Sequence, residues 1–396
     1  MNYILFDDYS RNNLLPLTFL RPVADLLTGI LTIRQKWEYY LGDSTSSLTE
    51  DYLIEKYPLY KGKNNILING SVLPSDELIK AIRGLQPNQA LINKDAIIAL
   101  HVPLENLDKI GEGDTEGIEE IDTDIDIIKI NYLWDLFLNN AKQIEADYAM
   151  LTVGSKSIEP SKSNHIIAPE NIFIEEGALV ENCNLNATDG PIYIGHNAQI
   201  WDGASLRGPI AVGEHAIVKM NAIIYQATTI GSYSKVGGEV ENSVIMAYSN
   251  KPHSGYLGHS IVGQWCNIAA GTNVANLNNT YKTIKMWNYP QSRFIDTGLQ
   301  FCGLVLGDHS KTGINTTFNT GSVVGISSNV FGAGYQRNFV PSFVWGGPST
   351  GYSGYDFEKA IETAKEVYKR RGIELTDVDF KILQHVYEIT KNNIRL

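Results

Sequence analysis

The stretch IGHNAQIWDGASLRGPIAVGEHAIVKMNAIIYQATTIGSYSKV, residues 194–236, decides the fold. From Ile194 every sixth residue is aliphatic: Ile200, Leu206, Val212, Val218, Ile224, Ile230 and Val236. Four places after each of the first seven stand Ala198, Ala204, Ile210, Ala216, Ala222, Thr228 and Ser234, nearly all small. Glycines recur three hexads apart, at Gly195, Gly213 and Gly231. An amphipathic helix repeats its apolar residues every 3.6 positions and a half-buried strand every 2, and neither gives a period of six. A triangular coil that turns a corner every six residues does. The aliphatic residue fills the interior at each face, and only a small residue fits near the corner. The pattern predicts a left-handed parallel β-helix over about Asn164–Gly347.

Beyond Val236 the register slips and resumes. Val262, Ile268 and Val274 form a second run, with Thr272 in a small position. Leu306, Thr312, Phe318, Val324 and Val330 form a third, with Ser310, Thr316, Ser322, Ser328 and Gly334 as partners. Two insertions are expected between the runs, roughly Asn242–Ser260 and Asn276–Gly303. Loops thrust from a rigid repeat scaffold are where function tends to sit. Residues 352–396 read as a tail of two amphipathic helices. Asp356 is a candidate N-cap, Phe357, Ile361, Ala364, Val367 and Tyr368 mark an apolar face, and Thr376 with Asp379 resembles a capping box. Lys369, Arg370 and Arg371 before Gly372 suit a helix C-terminus.

Residues 1–160 lack the six-residue period. Strands are expected at Tyr3–Phe6, Asn65–Ile68, Ala90–Ile92, Ile97–Leu100 and Ile125–Ile130, and helices at Ile30–Leu41, Asp76–Arg83 and Tyr132–Tyr148. The alternation predicts an α/β domain with a mostly parallel sheet. The division expected is therefore 1–160, 164–347 and 352–396.

The formal charge of −12 argues against nucleic acid or an anionic membrane as partner, since phosphate affinity rests on clustered Lys and Arg. Eight acidic residues and no basic ones lie between Glu112 and Asp126, which reads as a solvated loop. Met1–Leu5 runs into Asp7 and Asp8 without a basic start or a long apolar core, unlike a signal peptide. Nothing approaches 18 uninterrupted apolar residues. Cys183, Cys266 and Cys302 are odd in number and widely spaced, reading as buried small hydrophobes in a reducing cytoplasm.

The chemistry sits around the second run. Ser249-Asn250-Lys251-Pro252-His253-Ser254-Gly255-Tyr256-Leu257-Gly258-His259 is followed by Trp265-Cys266-Asn267-Ile268-Ala269-Ala270-Gly271-Thr272. His253-x-x-Tyr256-Leu257-Gly258, then Asn267-Ile268-x-Ala270-Gly271-Thr272, then Asn276 and Lys282, resembles the acetyltransferase half of the bacterial bifunctional UDP-N-acetylglucosamine diphosphorylase/glucosamine-1-phosphate N-acetyltransferase family. The resemblance implies acetyl-CoA as acyl donor and a place in UDP-N-acetylglucosamine and cell-wall synthesis. It implies His253 as the base that takes a proton from the sugar amine. Tyr256, Asn267 and Lys282 would contact the sugar phosphate. Ala270, Asn276 and Leu277 would contact acetyl-CoA, as would Ile314 and Gly332 further along. An imidazole with a pKa near 6.5 can accept that proton at neutral pH. His259, which leads into a strand, reads as a packing residue and a rival. The family grips the substrate phosphate with an Arg and a Lys on preceding coils. Here Lys235-Val236-Gly237-Gly238-Glu239-Val240-Glu241 is more acidic, leaving Lys219, Lys235 or Lys251 as substitutes.

In that family the N-terminal domain is a nucleotidyltransferase opening with a glycine-rich phosphate cradle. Here no glycine precedes Gly29, so backbone amides have no such approach to phosphates. Leu15-Pro16-Leu17-Thr18 and Arg21-Pro22 still resemble the family's continuation. Ser71 stands where the family places a Mg²⁺-binding Asp, and a hydroxyl is a poorer Mg²⁺ ligand. Asp7, Asp8, Arg11 and Arg21 are the candidates for metal and phosphate contacts, with Mg²⁺ and a nucleoside triphosphate implied only if this domain is active. Three readings follow: a hexosamine-1-phosphate N-acetyltransferase that may also be bifunctional, a nucleotidyltransferase whose solenoid serves trimerisation or regulation, and a non-enzymatic sugar-nucleotide-binding scaffold. A triangular prism packs readily about a threefold axis, so a homotrimer is expected.

Overall fold

A computed structural model describes residues 1–94, 96–111 and 113–393; Asp95, Glu112 at the head of the acidic stretch, and the last three residues of the tail lie outside the described residues. The chain forms two compact units. One comprises Met1–Leu14, Leu20–Leu26 and Leu31–Tyr132; the other comprises Leu15–Phe19, Leu27–Ile30 and the chain from Leu133 on.

The first unit is built on one six-stranded sheet of β1 (Asn2–Phe6), β2 (Thr45–Leu48), β3 (Asn64–Asn69), β4 (Gln89–Asn93), β5 (Ala96–Pro103) and β6 (Glu119–Asp122), in the order β2-β1-β3-β5-β4-β6. β1 runs parallel to β2 and β3, and β4 parallel to β6, but β5 is antiparallel to both its neighbours. The sheet is thus mixed, because the short β4–β5 connection permits only an antiparallel hairpin. The strand expected at Ile125–Ile130 is reduced to an isolated bridge, Lys129 with Val72. The acidic stretch supplies β6 instead. An edge strand is hydrogen-bonded on one side only and carries charge without penalty, so it needs no apolar run. Helices Ile33–Leu41 and Asp76–Gly84 lie close to expectation, the first closed by a capping box between Thr32 and Gln35.

The second unit is the left-handed parallel solenoid. Its strands stack into three faces. Face A runs through six strands from His165–Ile167 to Tyr256–Gly258, face B through nine from Ile172–Ile174 to Phe339–Val340, and face C through five from Leu179–Val180 to Asn250–Lys251. Face C continues past Asn267 to Lys311–Thr312, Asn329–Val330 and Val344–Gly347. Ile194, Ile200, Leu206, Val212, Val218, Ile224, Ile230 and Val236 all lie in one continuous core, at 0–2% exposure.

The segment Asn242–Ser260 is not an insertion. It supplies solenoid strands Val244–Ile245, Asn250–Lys251 and Tyr256–Gly258, paired in register with the coil before. The interior residues run Val236, Val240, Ile245, Lys251, Leu257 and Val262, so the register slips because corners are shortened, not because chain is added. The second insertion is real. After Val274 the chain leaves the coil, forms an antiparallel hairpin of Lys285–Asn288 and Arg293–Asp296, and re-enters at Leu304.

At the corner between faces B and C, each coil places one residue in the left-handed backbone region. His215, Tyr233, Tyr248, Trp265 and His309 occupy it at φ of 53° to 63°. Left-handed backbone costs a non-glycine residue on the order of 1–2 kcal/mol. Here the rings that bear that cost stack face to face along the solenoid, Tyr233 on Tyr248 at 5.0 Å and Tyr248 on Trp265 at 4.2 Å. Tyr368 of the helix Phe357–Lys369 lies over Trp265 at 3.9 Å and docks that helix on the column. The caps of both tail helices are as expected: Asp356 accepts from the Lys359 amide, and Thr376 and Asp379 close a capping box around Asp377–Thr390. The helix expected over Tyr132–Tyr148 is broken into Asp135–Leu138 and Asn140–Thr152, and Asn140 Nδ2 donates to the Ala227 carbonyl of face B at 2.8 Å. Among the described residues no helix is long and apolar enough to cross a membrane.

Ile224→Ala should leave a void in a prism whose backbone is pinned on both sides and cannot collapse, costing about 2–5 kcal/mol. Urea unfolding checks this; a loss under 1 kcal/mol would show that the interior is not closely packed.

Candidate active site

His253 stands at the corner between faces C and A, with Lys251 inside the coil before it and Tyr256 on face A after it. The corner rests on backbone. A Cβ added at Gly237 would lie 2.5 Å from the Pro252 carbonyl oxygen, and one at Gly255, whose φ is +120°, would lie 2.1 Å from the Thr272 carbonyl oxygen. Only glycine allows three coils to approach so closely. The next coil closes the corner from above through the Gly271 amide, which donates to the Ser254 carbonyl at 3.0 Å. The result is a fixed platform from which the His253 side chain projects, exposed.

Lys251 does not face solvent. It occupies the interior place that Val236 holds one coil earlier, is 2% exposed, and donates from Nζ to the carbonyls of Gly237 at 2.8 Å and His253 at 3.0 Å. Burial pushes its pKa from 10.5 down to about 8, with Glu239 opposing. The reading of Lys251 as a phosphate-gripping surface residue is therefore corrected: its ammonium is held inside the coil, where it secures the carbonyl of His253.

Around the corner, Tyr256 donates to Glu241 Oε2 at 2.6 Å, and Asn276 Nδ2 reaches both Tyr256 Oη at 2.8 Å and His259 Nδ1 at 3.0 Å. Because Tyr256 donates to the carboxylate, the Asn276 atom facing it must be the amide nitrogen. That nitrogen then donates to His259 Nδ1. His259 is wedged between Phe301 at 5.3 Å and Phe137 at 5.9 Å, and burial lowers its pKa. With Nδ1 accepting, the ring carries its hydrogen on Nε2, and burial disfavours its protonation. The His253 ring has no hydrogen-bond partner among the described residues. Of the two histidines, His253 is the exposed one.

Asn267 lies exposed on face C, bridged to Asn250 and Lys311. Ala270 and Ile314 continue the His253 corner on successive coils: the Asn315 amide donates to the Ala270 carbonyl, and Ile314 is 72% exposed. Gly332 follows on the next coil, after Phe331, which lies against Gly313. Asn276 and Leu277 begin the excursion, Leu277 bridged to Phe301, while Lys282 lies exposed on it. The structure places His253, Ala270 and Ile314 along one corner of the solenoid, Asn267 on the face before it, Tyr256 on the face after it, and Asn276 at the far end of that face beside His259. Glu241, Phe137 and Phe301 were missed from sequence. The length of a coil was the one signal for Glu241, which stands one coil before, paired with Gly258, two places along the strand from Tyr256.

In the first unit Asp7, Asp8 and Arg11 border a cleft of about 550 Å³ with Thr49, Glu50 and Asp51. Asp7 accepts from the Val23 amide at 2.8 Å and the Thr49 hydroxyl at 2.5 Å, and burial raises its pKa to about 6. Asp8 is held by Ser10, by Asn69 at 3.0 Å and by Lys129 Nζ at 2.9 Å. Ser71 is buried and donates to Asn69 Oδ1 at 2.7 Å, and Arg21 is 3% exposed. These donors do not fit Mg²⁺: an ammonium already faces Asp8, and Asp7 is taken up by the Arg11 guanidinium at 3.3 Å besides Thr49 and the Val23 amide. Among the described residues no group of three His, Cys, Asp or Glu is placed to hold a metal ion.

Residues 3–156 match the family described as sugar nucleotidyl transferase. A bifunctional sugar-1-phosphate nucleotidylyltransferase/acetyltransferase of Sulfurisphaera tokodaii is 33% identical over 237 residues, 54% of this chain and 56% of that protein. The bifunctional protein GlmU of Methanocaldococcus jannaschii is 29% identical over 198 residues, 50% of this chain and 43% of that one. The chain spans about half the length of the curated relatives it matches. Among solved structures, a Francisella novicida UDP-N-acetylglucosamine acyltransferase aligns at 16% identity and a TM-score of 0.31 over 57% of this chain and 79% of its own, a likeness too loose to carry an argument. The curated relatives support, at modest identity, the bifunctional nucleotidyltransferase/acetyltransferase resemblance read from the sequence.

The buried lysine yields a pH signature. Lys251 binds its proton less tightly folded than unfolded, so between pH 8 and 10.5 the unfolded chain holds the extra proton and stability rises with pH. Relative to Lys251→Met, the wild-type chain should gain stability across that window and change little below it. Urea midpoints of both proteins at pH 7, 9 and 10.5 measure this; a difference flat in pH would show that the ammonium is not desolvated.

Proposed function

We propose that this chain transfers the acetyl group of acetyl-CoA to the amine of a hexosamine 1-phosphate, glucosamine 1-phosphate first among them, in UDP-N-acetylglucosamine synthesis. The observation that carries the reading is an exposed, unpartnered His253 on a rigid corner, flanked by Tyr256 on one face and Asn267 on the next. The sugar amine attacks the thioester carbonyl while His253 accepts the amine proton. The tetrahedral intermediate collapses, the C–S bond breaks, and His253 returns the proton to the departing thiolate, leaving the amide and free CoA. A positioned general base contributes roughly 10²–10⁴-fold. Lys251 and the Gly237–Gly238 backbone fix where the imidazole projects, and Ala270 and Ile314 continue the same edge toward the coenzyme.

The first unit belongs to the same reading as a sugar nucleotidyltransferase-like domain of low activity. Asp7 and Asp8 are engaged in holding the fold, and the chain has no glycine cradle to replace them. A homotrimer is proposed with it, since a triangular prism packs readily about a threefold axis.

His253→Ala in the full chain should lower CoA thiol release with acetyl-CoA and glucosamine 1-phosphate by about 10²–10⁴-fold without shifting the thermal midpoint. His259→Ala should cost less. Activity of His253→Ala within threefold of wild type, or a reversed ranking, sinks the assignment. Pyrophosphate release from UTP should stay well below the 1–10³ per second usual for enzymes.

A further inference from the structure

Lys129 is the first basic residue after the acidic stretch that ends at Asp126, yet its side chain turns inward instead of pairing along the surface. Its backbone is bridged to Val72, and the following amide, of Ile130, donates to the Ser71 carbonyl at 2.8 Å. That pairing sets the side chain beside the end of β1, where it is 7% exposed. Three groups surround the ammonium. Nζ lies 2.9 Å from Asp8 Oδ2, donates to Asn131 Oδ1 at 2.7 Å, and stands 4.4 Å from the centroid of the Tyr9 ring.

An ion pair that ties two segments of chain accounts for part of this arrangement. It does not account for the acceptors. A carboxylate oxygen and an amide oxygen converge on one point, and oxygen ligands of that kind are what a hard cation takes. The carboxylate is also braced from behind. Asn69 Nδ2 donates to the same Asp8 oxygen at 3.0 Å, and Asn69 Oδ1 in turn accepts from the Ser71 amide at 3.0 Å and its hydroxyl at 2.7 Å. The Ser10 amide donates to the other Asp8 oxygen at 3.0 Å. Asp8 borders the cleft of the first unit, so groups at the ends of β1 and β3 fix its orientation there. Ser71, where a metal-binding carboxylate is missing, serves as a brace. The shell for a cation is built, and the chain supplies the cation itself.

We propose that the Lys129 ammonium is the first unit's built-in cation, holding the place between Asp8 and Asn131 that a divalent metal would take and closing it to that metal. A tethered ammonium carries a single charge, so it neutralises Asp8 and leaves no surplus to draw a second anion. The Tyr9 ring and the two oxygen partners offset its desolvation. The inference deepens the reading of this unit as a nucleotidyltransferase-like domain of low activity, and rests on it only for the expectation of a metal. Metal binding is measured without substrate, so the inference can fail while that reading stands.

Titration of the full chain with Mn²⁺, followed by electron paramagnetic resonance, tests it. The wild-type chain should show no bound Mn²⁺ that Asp8→Asn removes. Lys129→Ala withdraws the ammonium and should gain one such site, with a dissociation constant on the order of 10⁻⁴–10⁻³ M, the weak end of carboxylate cation sites. Adding Asp8→Asn to that variant should abolish the site. Lys129→Arg keeps a cation in place and should stay closed. Mn²⁺ should also raise the thermal midpoint of Lys129→Ala and leave that of the wild type unmoved. A role confined to tying segments together predicts lost stability in Lys129→Ala with no response to Mn²⁺. That outcome, or Asp8-dependent Mn²⁺ binding by the wild-type chain, overturns the proposal. Should Lys129→Ala not fold, the wild type compared with Asp8→Asn still reads whether the place is closed.

Discussion

The interior of the triangular coil admits two side chains per face per turn, one of them mostly small, and the rest of the second unit follows from that constraint. Each interior residue is pinned by ladder pairing above and below, so neither its size nor its direction can drift. Corners have to turn within a few residues, which puts glycine, asparagine or a strained residue there. The chain tolerates an exception at Lys251, where a methylene stem fills the aliphatic place and the ammonium bonds to two corner carbonyls. The exception lies beside the corner that projects His253, whose carbonyl it holds. The flat walls of such a prism offer no cleft, so chemistry has to be assembled at an edge.

The second unit was legible because its period is strict. Eight aliphatics at six-residue spacing leave little freedom, and they specify strand, face and core together. The same strictness caused the misreading of Asn242–Ser260. A break in the period was taken as chain inserted, whereas the coil had trimmed its corners to steps of four and five residues, from Val236 to Val240 and from Val240 to Ile245. Lys251 completed the illusion, since a lysine in an interior slot looks like a loop. Local sequence cannot tell a shortened corner from a departure; only pairing with the neighbouring coil does.

In the first unit the signals were weaker for a physical reason. Strands Ala96–Pro103 and Asn64–Asn69 are central and apolar, and both were visible. The edge strands Thr45–Leu48 and Glu119–Asp122 are polar, because an edge does not need to be apolar on both faces. The candidate residues Asp7 and Asp8 share the difficulty. Sequence shows two adjacent carboxylates after the first strand, but not the Val23 amide, Thr49 and Lys129 that take them up. Around His253 the motif marked the proposed site, while the contacts of Glu241 with Tyr256 and of Phe137 with His259 arise only on folding.

The column of rings at the corner between faces B and C has a spectroscopic consequence. Tyr233, Tyr248, Trp265 and Tyr368 lie nearly parallel at separations of 3.9 to 5.0 Å. At that spacing their transition dipoles couple, so their share of the near-ultraviolet circular dichroism belongs to the stack and not to any single ring. Three members sit on successive coils and the fourth on the tail helix. The coupled band therefore reports two events with different signatures, undocking of the helix by loss of the Trp265–Tyr368 pair and unwinding of the coils by loss of the remainder. The protein carries an intrinsic optical gauge of its own solenoid, readable without any label.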